Sequence, residues 1–138
     1  MQVLARASGN DLAATWKNLG IDPEFHNLRG PETGLVTARG RIGGDGDAFN
    51  FGDVTVTRAS VRLANGDIGH AYRLGRDTAA AQLCAVIDAL SNDVDMARRV
   101  DEAITRPLQS SLQETDARRR DETEATRVDF FTMVRGED

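Results

Sequence analysis

The stretch DVTVTRASVRLANGDIGHAYRL, residues 53–74, decides the fold class. Asn65-Gly66 stands between two alternating runs, and this dipeptide favours the type I′ turn of a two-residue β-hairpin. Such a turn sets Ala64 opposite Asp67, and therefore Leu63 opposite Ile68, Val61 opposite His70, Ala59 opposite Tyr72 and Arg58 opposite Arg73. This register predicts an apolar face of Ala59, Val61, Leu63, Ile68, His70 and Tyr72. The opposite face collects Arg58, Ser60 and Arg62 beside Gly69, Ala71 and Arg73. Val54 and Val56 share parity with Arg58 rather than with Ala59, so a bulge is expected near Thr57 or Arg58.

Upstream, EFHNLRGPETGLVTARGRI (24–42) reads as strand, Gly-Pro turn and strand, with Val36, Ala38 and Ile42 alternating against Thr37, Arg39 and Arg41. Arg39 and Arg41 thereby extend the basic face. GGDGDAFNFGD (43–53) reads as a loop; its glycines lack the Lys-Ser/Thr ending of a P-loop and the Rossmann spacing. Asp45, Asp47 and Asn50 lack the twelve-residue calcium-loop pattern that ends in Glu, so no metal site is expected.

Two short helices are expected before residue 20, the second capped by Asn10 or Asp11, striped by Leu12, Trp16 and Leu19 and ended by Gly20. After the hairpin, DTAAAQLCAVIDALSN (77–92) is a helix with an Asp77 cap. Its face of Ala80, Leu83, Cys84, Ile87 and Leu90 should cover the sheet. Met96, Val100 and Ile104 continue at helical spacing, and Pro107 marks the start of a new helix anchored by Leu108 and Leu112. QETDARRRDETEAT (113–126) has no large apolar residue. It is a solvated helix, a linker or a surface recognised by a charged partner. The expected architecture is α+β, a single domain over 1–138 with an antiparallel sheet and flanking helices.

At 138 residues there is room for one core and no second catalytic domain. No apolar run approaches the roughly 20 residues of a membrane helix, and no secretory signal pattern opens the chain, so a cytoplasmic location without membrane contact is expected. Cys84 is the only cysteine, which rules out an internal disulfide and a thiolate metal cluster; it reads as core. Net charge is −5 but uneven: residues 29–76 carry seven Arg against five acids, and residues 77–138 carry eight Arg against fourteen. An acidic chain with few aromatics does not suit nucleic acid.

Self-contained catalytic sets are missing from the pattern. His70 falls on the predicted apolar face and His26 stands alone in a strand, and there is no GxSxG elbow, HExxH motif or His/Cys metal pair. The basic sheet face carries a physical demand, because Arg58 opposite Arg73 is a repulsive cross-strand pair unless an acid intervenes. The acid is a phosphate-bearing ligand, a partner's carboxylate or the chain's own acidic helices. Arg39, Arg41, Arg58, Arg62 and Arg73 are the anion-binding candidates; no catalytic residue is assigned.

The blocks LRGPETGLV, RGRIGG, FNFGDVTVTRASVRL, NGDIGHAYRLGRD, AVIDAL and RVDFFTMVRGE, spread from residue 28 to 137, resemble the PhnG family, the small G subunit of the bacterial carbon-phosphorus lyase machinery. The resemblance implies phosphonate catabolism. In it, the G, H and I subunits, helped by an ATP-binding-cassette-like L protein, replace the adenine of ATP with a phosphonate to give alpha-D-ribose 1-methylphosphonate 5-triphosphate. It further implies a core assembly of G, H, I and J subunits, in which I carries nucleosidase activity and J the later iron-sulfur radical chemistry. ATP is then a substrate of the assembly, and no cofactor is expected on this chain alone. The implied role is an obligatory subunit, inactive when isolated; rival roles are purely structural assembly, or triphosphate binding through the basic face.

The tail RVDFFTMVRGED (127–138) alternates Val128, Phe130, Thr132 and Val134 against Phe131 and Met133. Apolar weight on both sides predicts an extended segment covered on both faces, within the sheet or by a neighbouring subunit, with Val128, Phe130, Phe131 and Met133 as interface candidates.

Overall fold

The computed structural model describes residues 2–41 and 46–126. The chain runs through α1 (Gln2–Arg6), α2 (Gly9–Leu19), β1 (Phe25–Gly40), β2 (Phe49–Leu63), β3 (Ile68–Leu74), α3 (Thr78–Leu90), α4 (Val94–Val100) and α5 (Arg106–Ala125), with a π-helical turn over Asp101–Thr105. The three strands form one antiparallel meander in the order β1-β2-β3. The α+β class read from the alternation therefore holds.

Helix ends follow their local chemistry. Ser8, rather than Asn10 or Asp11, caps α2, its hydroxyl oxygen accepting the Asp11 N–H at 3.1 Å, and Gly20 closes that helix at φ +67°. Asp77 caps α3 by accepting the Ala80 N–H at 2.9 Å. Asp93 caps α4, and from there the helix runs on through residue 125 without a break. Pro107 falls in the first turn of α5, as expected, although the chain before it is already helical. It brings no N–H and its ring would crowd the carbonyl four residues back, and the preceding turn is widened so that the Arg106 N–H reaches Asp101 O instead. Residues 113–125 are helical and not a linker, all of α5 beyond Leu108 being exposed or half-buried.

Long strands replace two expected breaks. Gly30-Pro31 is not a turn between strands; β1 passes through it, and the irregularity it makes in the ladder lies between Arg29 and Glu32, opposite Arg58–Ser60. The expected bulge in β2 near Thr57 or Arg58 is absent, since β2 pairs with β3 without interruption from Val56 to Arg62. The parity shift in the sequence has a different cause. Thr57 is fully buried on the core side, bonded through its hydroxyl to Thr33 and to the Gly75 carbonyl, while Val54 and Val56 lie on the other face.

The register of the β2–β3 hairpin is displaced by one residue from the two-residue-turn reading. Leu63 N–H donates to Asp67 O at 2.8 Å, so Ala64, Asn65 and Gly66 form a three-residue loop with Gly66 at φ +96°. This is the turn-plus-bulge loop in which glycine takes the left-handed position. The pairs are Arg62 with Ile68, Val61 with Gly69, Ser60 with His70, Ala59 with Ala71, Arg58 with Tyr72 and Thr57 with Arg73. A slip of one residue moves every β3 side chain to the opposite face. The inner face is thus Ala59, Val61 and Leu63 with Gly69, Ala71 and Arg73; the outer face is Arg58, Ser60 and Arg62 with Ile68, His70, Tyr72 and Leu74.

The core sits between that inner face and the helices, built from Val61, Ala81, Cys84, Ile87, Leu12, Ile104 and Leu108, with Cys84 buried as expected. α3 lies along β2 and β3, and among the described residues no helix packs on the outer face. Beyond the helices, β1 and β2 continue as a two-stranded arm that leaves Leu35, Val36, Phe49 and Phe51 exposed. The Phe49 and Phe51 rings pack at 4.5 Å between centroids.

Candidate functional site

The five arginines proposed as one basic face lie in three places. Arg73 points inward, 7% exposed, and its guanidinium donates to the carbonyls of Leu4 and Ala7 and lies 3.5 Å from Cys84 Sγ. Those carbonyls belong to the end of α1, where a helix leaves its acceptors unsatisfied and a cation is favoured. Arg73 Nε has no partner. Arg39 and Arg41 sit at the far end of the arm, Arg39 donating to Ala48 O at 3.3 Å. From Asn50, the partner of Arg39, to Arg62 is roughly 40 Å of strand at ~3.4 Å per residue. One small anion does not bridge that span. Arg58 and Arg62 remain together on the outer face.

The repulsive Arg58–Arg73 pair does not form, because Tyr72 stands opposite Arg58 and Arg73 is on the other side of the sheet. The acid that meets Arg58 is Glu32 of β1, its Oε1 2.6 Å from Arg58 Nε, with Arg29 Nε 3.8 Å from the same oxygen. The Tyr72 hydroxyl, then Glu32, hold the Arg58 guanidinium proton above its ordinary pKa. Of the three sources considered, the acid is the chain's own, contributed by a strand and not by the helices. Sequence reading missed Glu32 because the ladder irregularity at Gly30-Pro31 decides its position.

His70 also changes face. It lies exposed on the outer side with Nδ1 2.8 Å from Ser60 Oγ, and its backbone N–H donates to Asp88 Oδ2 of α3 at 2.9 Å. Asn92 adds a bond to the Ile68 carbonyl, so two α3-side residues occupy the outward edge at the start of β3. His26 faces Arg62 across β1 and β2 on the outer side.

A crevice of about 520 Å³ opens between the α1–α2 junction and α5, lined by Arg6, Ser8, Asp11, Thr115, Asp116 and Arg119 among others. Its carboxylates are already engaged. Arg6 donates to both Asp116 oxygens at 2.9 and 3.2 Å, which pulls the Asp116 carboxyl below its usual range, and Ser8 donates to Asp11 at 2.7 Å. Among the described residues no group of three or more His, Cys, Asp or Glu is gathered to hold a metal ion. No helix among them is long and apolar enough to cross a membrane. The tail candidates Val128, Phe130, Phe131 and Met133 lie outside the described residues, as do Ile42, Gly43, Gly44 and Asp45.

Such an arrangement defines a class of protein: a small α+β domain whose candidate arginines, among the described residues, spread over a sheet face and a projecting arm, apart from the crevice at the helix ends. Comparison with known proteins makes the assignment specific. Residues 1–136 match the family described as phosphonate metabolism protein PhnG. A protein of Rhizobium meliloti (strain 1021), described as alpha-D-ribose 1-methylphosphonate 5-triphosphate synthase subunit PhnG, is 50% identical over 138 residues, covering 100% of this chain and 88% of its own length. The chain belongs to the PhnG family, as the ordered sequence blocks implied.

Proposed function

We propose that this chain is a subunit of an alpha-D-ribose 1-methylphosphonate 5-triphosphate synthase, acting in phosphonate catabolism. In the exchange, a phosphonate oxygen forms the new bond to ribose C1, the bond from C1 to adenine breaks, and adenine leaves with a proton while the triphosphate stays in place. The observation that carries this reading is the 50% identity, along the whole chain, to a synthase subunit. The partners are the H, I and J subunits, with the L protein assisting. ATP enters as substrate of that assembly, and the chain alone holds no cofactor. The exposed outer sheet face and the projecting arm support a subunit that completes an assembly, and the chain by itself is inactive.

The test is adenine release from ATP and methylphosphonate, followed by chromatography, with the purified assembly, the assembly lacking this chain, and the chain alone. Release is expected only in the first. Full activity without the chain removes the requirement, and robust release by the chain alone overturns the subunit role.

A further inference from the structure

β3 is bulky on the wrong side for a solitary domain. Beneath α3 it offers only Gly69 and Ala71, with Arg73 turned inward near its end; outward it offers Ile68, His70, Tyr72 and Leu74. The inversion is built in: a Cβ on Gly69 would stand 2.0 Å from Ala85 O and 2.4 Å from Ala89 N, so α3 meets the strand backbone to backbone and only small residues fit beneath it. An antiparallel sheet with one face in water ordinarily puts its polar residues there. Here Tyr72 is 58% and Leu74 73% exposed, and Val56, the cross-strand neighbour of Leu74, extends the apolar patch.

Charge on the same face leans positive. Among the described residues Arg29, Arg58 and Arg62 lie there with Glu32, which Arg29 and Arg58 share, and with Asp88 at the edge bonded to the His70 N–H, in a chain whose net charge is −5. A second copy of this face laid on the first would oppose positive to positive. The complementary surface is one that carries carboxylates between apolar side chains.

We propose that the outer face of β2 and β3, centred on Arg58, Arg62 and Tyr72, is a docking surface for an acidic, apolar segment of another subunit of the assembly. This rests on the subunit role proposed above. Arg58 is held by Glu32 at 2.6 Å and stands directly across the ladder from Tyr72, and Tyr and Arg side chains are the types that dominate interface energetics when apolar neighbours exclude water.

The experiment measures the affinity of the full chain for the remaining purified synthase subunits. Tyr72→Ser and Arg62→Glu change exposed side chains, and thermal melting verifies that both variants fold as wild type. Each is expected to weaken association at least about 30-fold, the loss that marks an interface hot spot. Arg118→Glu on exposed α5 is expected to bind as wild type. Wild-type affinity in both face variants overturns the docking surface while leaving the subunit role intact; failure of the wild-type chain to associate overturns that role instead. Two further results also overturn the proposal: a homodimer of the chain that Tyr72→Ser disrupts, which makes the occupant a second copy, and an Arg62→Glu variant that assembles normally but loses ATP affinity, which makes it a nucleotide.

Discussion

Replacing Arg73 with Met tests whether a buried guanidinium holds the N-terminal helices on the sheet. Met matches much of the length and fills the space, so the perturbation is the loss of the donors to Leu4 O and Ala7 O. A buried acceptor left without a partner costs about 1–3 kcal/mol, so two give about 2–6 kcal/mol. Part is offset, because an ion with an unpartnered Nε no longer has to be kept out of water. Water entering the crevice beside Ala7 relieves another part. The net expectation is a destabilisation of about 2–3 kcal/mol, a large share of the roughly 5–15 kcal/mol that keeps a domain folded. With a slope of about 2 kcal/mol per molar, the urea midpoint falls by about 1–1.5 M. Hydrogen exchange gives an independent readout, since the Ala7 N–H, now bonded to Val3 O at 3.0 Å, should lose protection beyond the global change. An unchanged or higher midpoint refutes the reasoning, for the guanidinium would then cost as much as its carbonyl bonds return.

Gly69→Ala should lower stability by at least about 2 kcal/mol, because the atoms it strikes are helix backbone that cannot rotate away; Gly34→Ala, with open space at its Cβ, should change the urea midpoint little. Similar losses in the two variants would mean that α3 does not rest on the strand as described. Cys84 gives a pH signature: burial pushes its thiol above its ordinary 9.0, against the smaller lowering effect of Arg73, so the folded state retains the proton longer than the unfolded chain. Its stabilising contribution is complete below about pH 9 and is lost as pH rises toward the folded value, so Cys84→Ala should show a shallower fall in urea midpoint between about pH 8 and about pH 10 than wild type. Equal slopes would count against a protonated buried thiol.

Much of the fold was legible because its cues are local. Asp77, Gly20 and the apolar spacing of Ala80, Cys84 and Ile87 belong to single elements, and the structure reproduces them. Failures came where a choice depends on contact between elements. Asn65-Gly66 serves either a two-residue turn or the longer loop with Gly66 left-handed, and the two differ by one residue of register. Assigning the bulky set of β3 to the core is the natural reading of an isolated hairpin. It fails because α3 approaches Gly69 too closely for that set to fit. The alternation of small Gly69 and Ala71 with large Ile68 and Tyr72 was the available signal, and small residues on one face are what direct contact with a helix backbone requires.

That single residue of register also decides the functional reading. In the two-residue-turn register, Arg58 and Arg73 crowd each other and call for an anion, while Tyr72 and Ile68 disappear into the core. In the observed one, Arg73 neutralises a helix end, Arg58 has Glu32, and the repulsion that asked for a ligand is gone. What remains outside is Tyr72, Leu74 and Ile68 beside Arg62 and the Arg29–Glu32–Arg58 cluster. That surface gains more from a covering protein segment than from a small anion, because burying its aromatic and aliphatic area releases water at about 25 cal/mol per Å² and an anion covers little of it. The same physics that turned β3 over, close packing of α3 on Gly69, thus places a partner-shaped surface where an isolated strand would have placed a polar one.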